Sequence, residues 1–425
     1  MKKLLISAFL VLACIRMGYA EEKLTWQACI EEARKNHPDL ISAEEGIKQY
    51  EAGKKITASA LYPQIDSSAD VSRERTKTTA SGKTTKKTAN SFGYGVTGSQ
   101  SLFDGLKTAN DAKAASENIK AAKFNYRFTS SEVRLRLRAA FINLLKAQEL
   151  LNIAQEIYNI RRGNLELITL SYESGIEHRG ALLTAQANLA EAEFEIAQNK
   201  RALQVAQREL IKEMGRVKLS PIRVEGEFRV ADEILEKPDF EALANKNPSL
   251  GKLTAQKNAA SFGIKAAQAE FLPQLSAQAG ASKSNSHWPP DNEQLNAGLT
   301  LSFPLFEGGL RLAQVAQAKA IFNQAQANER STKDGIVVTL QQAWAALADA
   351  VETVGVEKKF LEASEERAKI SEAQYSLGLI QFDNWTIIED QLVSAKKAFL
   401  NAQAGALLAE ANWVQAKGET LEYAD

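Results

Sequence analysis

Ser302-Phe303-Pro304-Leu305-Phe306-Glu307-Gly308-Gly309 is the boundary between two textures of this chain. Before it, Leu295, Ala297, Leu299, Leu301 and Phe303 alternate with Asn296, Gly298, Thr300 and Ser302, the period-two pattern of a strand. Beyond it, Val337, Leu340, Trp344, Leu347, Val351 and Val354 follow one another in three-four steps, the seam of a coiled coil. Pro304 cannot donate a ladder hydrogen bond, so it marks the corner where the strand ends and the chain bends into a long helix.

The corner occurs twice. Leu102-Phe103-Asp104-Gly105 matches Leu305-Phe306-Glu307-Gly308 at an offset of 203 residues, and Tyr172-x-x-Gly175 matches Tyr375-x-x-Gly378 at the same offset. Further upstream, Tyr62-Pro63-Gln64-Ile65 matches Leu272-Pro273-Gln274-Leu275 and His37-Pro38 matches Asn247-Pro248, both at 210. The chain is therefore a duplication with one loop seven residues shorter in the second copy. The first repeat covers 21–214 and the second 238–418. A Gly- and Pro-marked linker at 215–237 joins them, and 419–425 is a tail.

Each repeat has the same order: a helical stretch (24–60, 238–270), a β-hairpin (about 62–103, 272–305), a long helix (106–172, 309–375) and a return helix (181–214, 380–417). Polar tips are expected between the strands, at Thr76–Asn90 and Lys283–Glu293. Each long helix has 67 residues, or about 100 Å at 1.5 Å per residue, matched by the two shorter helices of its repeat stacked end to end. Shifting the seam back by 203 gives Arg134, Leu137, Phe141, Leu144, Gln148 and Leu151, four of them apolar.

Met1-Lys2-Lys3, an apolar run over Leu4–Ala13 and Gly18-Tyr19-Ala20 read as a signal peptide, 1–20, with a lipoprotein signal at Cys14 as the alternative. Without it the chain has 49 basic and 52 acidic residues, which excludes a global basic field for nucleic acid. No later apolar run is long enough for a membrane-spanning helix. Cys29 then stands alone, so a disulfide framework is excluded. His37, His178 and His287 lie near no cysteine or paired carboxylates in sequence, and no nucleophile elbow or phosphate loop appears. Neither an enzyme nor a cofactor or metal site is expected.

Four half-apolar strands admit two readings, a soluble sheet packed on the helices or one part of a membrane barrel shared between chains. Lone strands in lipid leave backbone groups unpaired, and closed barrels begin at about eight strands. The basic residues of the first tip, Arg73, Arg75, Lys77, Lys83, Lys86 and Lys87 against Glu74, either face anionic headgroups or solubilise a mobile loop.

In its leader, duplicated hairpin-plus-coiled-coil plan, strand-to-helix corners (Phe103, Gly105, Pro304, Phe306, Gly308) and paired Tyr-x-x-Gly elements, the chain over 24–418 resembles the TolC outer-membrane efflux family. The resemblance implies a mixed α and β membrane fold in which three chains share a 12-stranded outer-membrane barrel, continued by a periplasmic α-helical barrel. It implies the outer-membrane duct of a tripartite efflux or type I secretion system, with most of the chain in the periplasm. The implied partners are the other two copies of a homotrimer, a periplasmic adaptor, an inner-membrane pump of RND or ABC type, and outer-membrane lipid. An exported coiled-coil scaffold or adhesin without a pore is the alternative.

The resemblance also places Tyr172, Gly175, Tyr375 and Gly378 at periplasmic tips that meet the adaptor, with Tyr375 as a gating tyrosine. The family's gate aspartates do not carry over, since Ala181, Asn384 and Ile387 occupy their positions. The gate candidates are then Tyr375, Asp383 and Asn384, with Glu177, Arg179, Glu389 and Asp390 as nearby charges. Met214 is the only Met after the leader, which argues against a Met-lined copper path and leaves drugs, other metals and proteins as cargo.

Overall fold

The computed structural model describes residues 22–218, 221–228 and 236–422. The expected leader with Cys14, parts of the 215–237 linker and the end of the 419–425 tail lie outside the described residues.

Strand β1 (Glu22–Leu24) pairs in parallel with β4 (Ile222–Val224). The stretch read as one helix over 24–60 is two helices, α1 (Trp26–Asn36) and α2 (Pro38–Ser59). Likewise 238–270 divides into α5 (Phe240–Lys246) and α6 (Pro248–Ala269). The cause is the same in both: proline drives the residue before it out of the helical region. His37 and Asn247 accordingly sit at ψ 122° and 132°.

The hairpins β2 (Gln64–Ala80) with β3 (Lys83–Phe103) and β5 (Gln274–Asn285) with β6 (Asn292–Ser302) form one antiparallel sheet of order β2-β3-β5-β6. Its register puts Ile65, Ala69, Val71, Val96, Tyr94, Phe92, Ala277, Ala281, Leu295, Leu299 and Leu301 on one face. Asp66, Ser68, Asp70, Thr97, Gln278 and Asn296 lie on the other. The apolar face is open, with Ile65 at 74% and Leu299 at 70% exposure.

The expected polar tip at Thr76–Asn90 is not a loop. β2 and β3 stay paired as far as Ala80 and Lys83, because the segment is rich in β-branched Thr and ends in a two-residue Ser81-Gly82 turn. Both turn residues have positive φ, 50° and 77°, the conformation that matches the twist of a tight hairpin.

The strand-to-helix corner uses two successive left-handed residues in each repeat, Gly105-Leu106 at φ 72° and 71° and Gly308-Gly309 at 60° and 88°. A Cβ on Gly105 would lie 2.4 Å from the Ala269 carbonyl oxygen, so this position requires glycine twice over. Pro304 follows the last paired residue, Ser302, and precedes the helix that starts at Leu310; Phe306 is 89% exposed between them.

The long helices α3 (Lys107–Glu173) and α7 (Leu310–Ser376) have 67 residues each. The return helices are α4 (Arg179–Glu213) and α8 (Phe382–Lys417). Contacts divide the chain into two units, each drawing on both repeats. One gathers the described residues up to Ala43, Tyr126–Pro248 and those from Asp334 onward; the other gathers Glu44–Asn125 and Ser249–Lys333 and holds the sheet.

In the first unit the α3 seam residues Leu137, Phe141 and Leu144 are buried against Cys29, Ile30 and Ala33 of α1, Leu210 of α4, and Ile222 and Val224. Leu340 and Leu347 of the α7 seam are buried with Phe240, Trp413 and Ala416. Gln148, polar at a seam position, closes a two-way bond with Val224: its amide donates to the carbonyl at 3.0 Å and its oxygen accepts the N–H at 2.9 Å. Burial pushes the Cys29 thiol up to about 12, so it behaves as a small apolar side chain.

Beside this core, Glu213 binds His37 Nε2 (3.4 Å), Arg136 Nε (3.2 Å) and Lys212 Nζ (2.8 Å), while Arg136 also reaches Asp39. His37 Nδ1 accepts the Asp39 N–H at 3.2 Å, which caps α2 across the proline break.

Candidate functional site at the paired helical tips

Both Tyr-x-x-Gly elements fold into the same helix ending. At the end of α3, the Gly175 N–H donates to the Tyr172 carbonyl at 3.0 Å and the Ile176 N–H to the Ser171 carbonyl at 2.9 Å. At the end of α7, Gly378 donates to Tyr375 at 2.9 Å and Leu379 to Gln374 at 2.8 Å. This is the Schellman arrangement, and Gly175 and Gly378 supply its left-handed residue at φ 75° and 72°. The spacing is thereby explained: the tyrosine stands three residues before the glycine because its carbonyl is the one the glycine N–H must reach.

The two tyrosines diverge from there. Tyr172 is exposed, whereas Tyr375 stacks on Trp385 with ring centroids 4.5 Å apart and meets the edge of Phe382 at 6.2 Å. The Tyr375 hydroxyl donates to Glu177 Oε1 at 3.0 Å, which joins the second repeat's turn to the first's. Ile168, Ala181 and Ala185 of the first repeat complete an apolar cluster around Phe382 and Trp385. Desolvation, then the Glu177 carboxylate, hold the Tyr375 phenol above its ordinary range, so it is a donor at every physiological pH.

The charged candidates separate into two sets. Asp383 and Asn384 are exposed on the first turn of α8, where a carboxylate also favours the positive end of the helix. Neither joins the Tyr375 contacts. Asp390 pairs with the buried Arg161 of α3, and Lys396 and Lys397 of α8 reach Glu156 and Glu195, each at 2.6 Å. Glu389 is buried, and desolvation raises its carboxyl above the usual range, with Glu372 and Asp390 adding to the rise and Arg161 opposing it. His178 caps α4 by accepting the Ala181 N–H on Nδ1 at 3.1 Å, whereas its counterpart Gln381 makes no side-chain cap.

Around the turns themselves Ile176, Leu377 and Leu379 are 70–79% exposed. Phe382 and Trp385 were not anticipated as tip residues. Their three-residue spacing directly after the Gly378 turn was the available signal, since it places both rings on one side of the first turn of α8. No group of metal-ligating side chains occurs among the described residues.

The outer membrane efflux protein family model matches residues 29–216 and again 241–419, one match for each repeat. The chain belongs to the outer membrane efflux protein family. It is similar to the outer membrane efflux protein BepC of Brucella suis, with 24% identity over 86% of this chain and 78% of BepC. It is also similar to the alkaline protease secretion protein AprF of Pseudomonas aeruginosa, with 26% identity over 67% of this chain and 62% of AprF. The fold matches the open-state MtrE outer membrane channel of Neisseria gonorrhoeae at a TM-score of 0.78, with 18% identity over 92% of this chain and 88% of MtrE. As a member of this family the chain is an outer-membrane channel for efflux or secretion, with the mixed α and β fold of the TolC-like channels.

Proposed function

We infer that three copies of this chain close their sheets into one 12-stranded barrel and form a passive duct for cargo handed over in the periplasm. The observation that carries this reading is the sheet: one face is apolar and open, and β2 and β6 are unpaired edges. A bilayer does not tolerate such edges, and four strands are too few to close a barrel, whereas three chains of four give twelve.

The long helices then continue the duct into the periplasm. The exposed Ile176, Leu377 and Leu379 at the paired tips, with Tyr172, Gly175 and Gly378, form the docking end for a periplasmic adaptor that brings an inner-membrane pump of RND or ABC type. Tyr375 is the latch between the two turns of each tip. Efflux, by likeness to the efflux protein BepC, and protein secretion, by likeness to the alkaline protease secretion protein AprF, are the two routes the duct would serve.

Assembly is the test. Purified in detergent, the protein should run as a trimer and conduct in planar bilayers. A stable monomer without conductance overturns the reading.

A further inference from the structure

We propose that one face of the β2–β3 ribbon binds the phosphate-bearing headgroups of outer-leaflet lipid. The ribbon outgrows the rest of the sheet: the last β3 residue paired to β5 is Phe92, while β2 and β3 continue together to Ala80 and Lys83. Its basic residues are unevenly divided. Cross-strand partners share a face, so the pairs Arg73–Asn90, Arg75–Thr88, Lys77–Lys86 and Thr79–Thr84 collect four cations and no carboxylate on one side. The other side carries Glu74, Lys83 and Lys87. Among the described residues, none of the four cations has an acidic group within ion-pair distance.

Parity identifies the basic face. Arg73, Arg75 and Lys77 continue the odd-numbered row of Ile65, Ala69 and Val71, the row that register assigns to the apolar side of the sheet. The apolar side ends in aromatics: Phe92 and Tyr94, each 6.4 Å from Trp288 in edge-to-face contact. Aromatic side chains at the end of an apolar band mark the membrane–water interface. At about 3.4 Å per residue, Arg73 stands ~7 Å past Val71 along the strand and Lys77 ~20 Å, less with barrel tilt. The headgroup layer of a bilayer leaflet is about 5–7 Å deep. Arg73 falls at that level, Arg75 stands ~14 Å past Val71 before tilt, and the long side chains of Arg75, Lys77 and Lys86 bend back towards the layer from its outer side. A cationic row directly above a lipid-facing band, on the same face, complements an anionic lipid surface. A solubilising loop has no reason to sort its charges by face.

The proposal rests on the barrel reading for the placing of the sheet in the bilayer, and its test separates the two. Full-length protein in detergent is titrated with bis-phosphorylated lipid A, and separately with phosphatidylcholine. Arg73→Gln/Arg75→Gln/Lys77→Gln/Lys86→Gln should weaken lipid A binding about 10²–10³-fold, while Lys83→Gln/Lys87→Gln on the other face costs less than about three-fold. Phosphatidylcholine should bind all three proteins alike, and conductance should be unchanged. The single variant Arg75→Gln, expected to lose about five-fold, and the salt dependence of wild-type binding read the same effect without a multiple substitution. Equal losses from the two faces, unaltered lipid A binding in the quadruple variant, or full displacement by millimolar inorganic phosphate or by heparin would overturn it. Loss of conductance in wild-type protein would instead count against the barrel.

Discussion

Tyr375 and Glu177 are 198 residues apart and belong to different repeats, yet the phenol of one donates to the carboxylate of the other at 3.0 Å. The bond is made at the turns, beside exposed apolar residues and away from the extended seams that hold the coiled coil. A single neutral-to-charged hydrogen bond contributes about 1.5–3 kcal/mol. That is the scale on which a gate between two packed arrangements can be set.

Tyr375→Phe removes the donor and keeps the stack on Trp385. Its closed-to-open equilibrium should shift towards open by about tenfold or more, seen as a higher conductance or open probability, as about 1.4 kcal/mol is a factor of ten. Tyr375→Ala, which also loses the aromatic contacts, should exceed it. Planar-bilayer recording checks both, and unchanged conductance in the two variants would place the constriction elsewhere.

Asp383 is exposed on the first turn of α8, where three copies around an axis would present three carboxylates to passing ions. Asp383→Asn should lower cation selectivity, measured as a reversal-potential shift under a salt gradient. Trimer content should not change, because asparagine keeps the side chain's shape.

Glu213 supplies a pH dependence. His37, then Lys212 and Arg136, hold its carboxyl down at about 2, against 4.5 in an unstructured chain. A depressed acid stabilises the fold above its unfolded value and loses that contribution as pH falls through the folded one. Hydrogen-exchange protection of α1 and α2 should therefore weaken between pH ~4.5 and ~2. Glu213→Gln should remove most of that pH dependence and cost about 2 kcal/mol at pH 7.

The first corner carries a strained residue that the second avoids. Leu106 sits at φ 71° where the second repeat has Gly309, and a left-handed non-glycine residue costs about 1–2 kcal/mol. Leu106→Gly should raise the thermal midpoint slightly, the relief being offset in part by glycine's greater unfolded entropy. Gly105→Ala should lower it markedly, because the added methyl meets the Ala269 carbonyl.

The strand-to-helix corners and the seam were legible because they depend on local properties: period, proline chemistry and glycine at a fixed spacing. Leu340 and Leu347 are buried as the three-four steps require. The helix breaks at His37 and Asn247 were also written locally, in the two X-Pro pairs, but were overridden by the surrounding helical composition. The first hairpin was bounded correctly at about 62–103, but its strands were read too short, with a tip at Thr76–Asn90, because Lys and Thr look like loop residues until cross-strand pairing is known. The tip contacts are another matter. That Tyr375 meets Glu177 and Tyr172 does not depends on which helices lie side by side, and no periodicity within one segment encodes it.

The order β2-β3-β5-β6 has a consequence for genetics. In the proposed ring, the outer edge of β6 in one copy can be satisfied only by β2 of the next, so every seam is built from two unlike halves contributed by different molecules. A lesion confined to the β6 edge would then be felt by a neighbour whose own sequence is intact. Co-expressed with the normal allele it should act dominantly, with wholly normal rings falling as the cube of the normal fraction. A complementary change in β2 should restore function when it lies on the same copy as the lesion, because two kinds of copy cannot alternate around a ring of three and would always leave one mismatched seam.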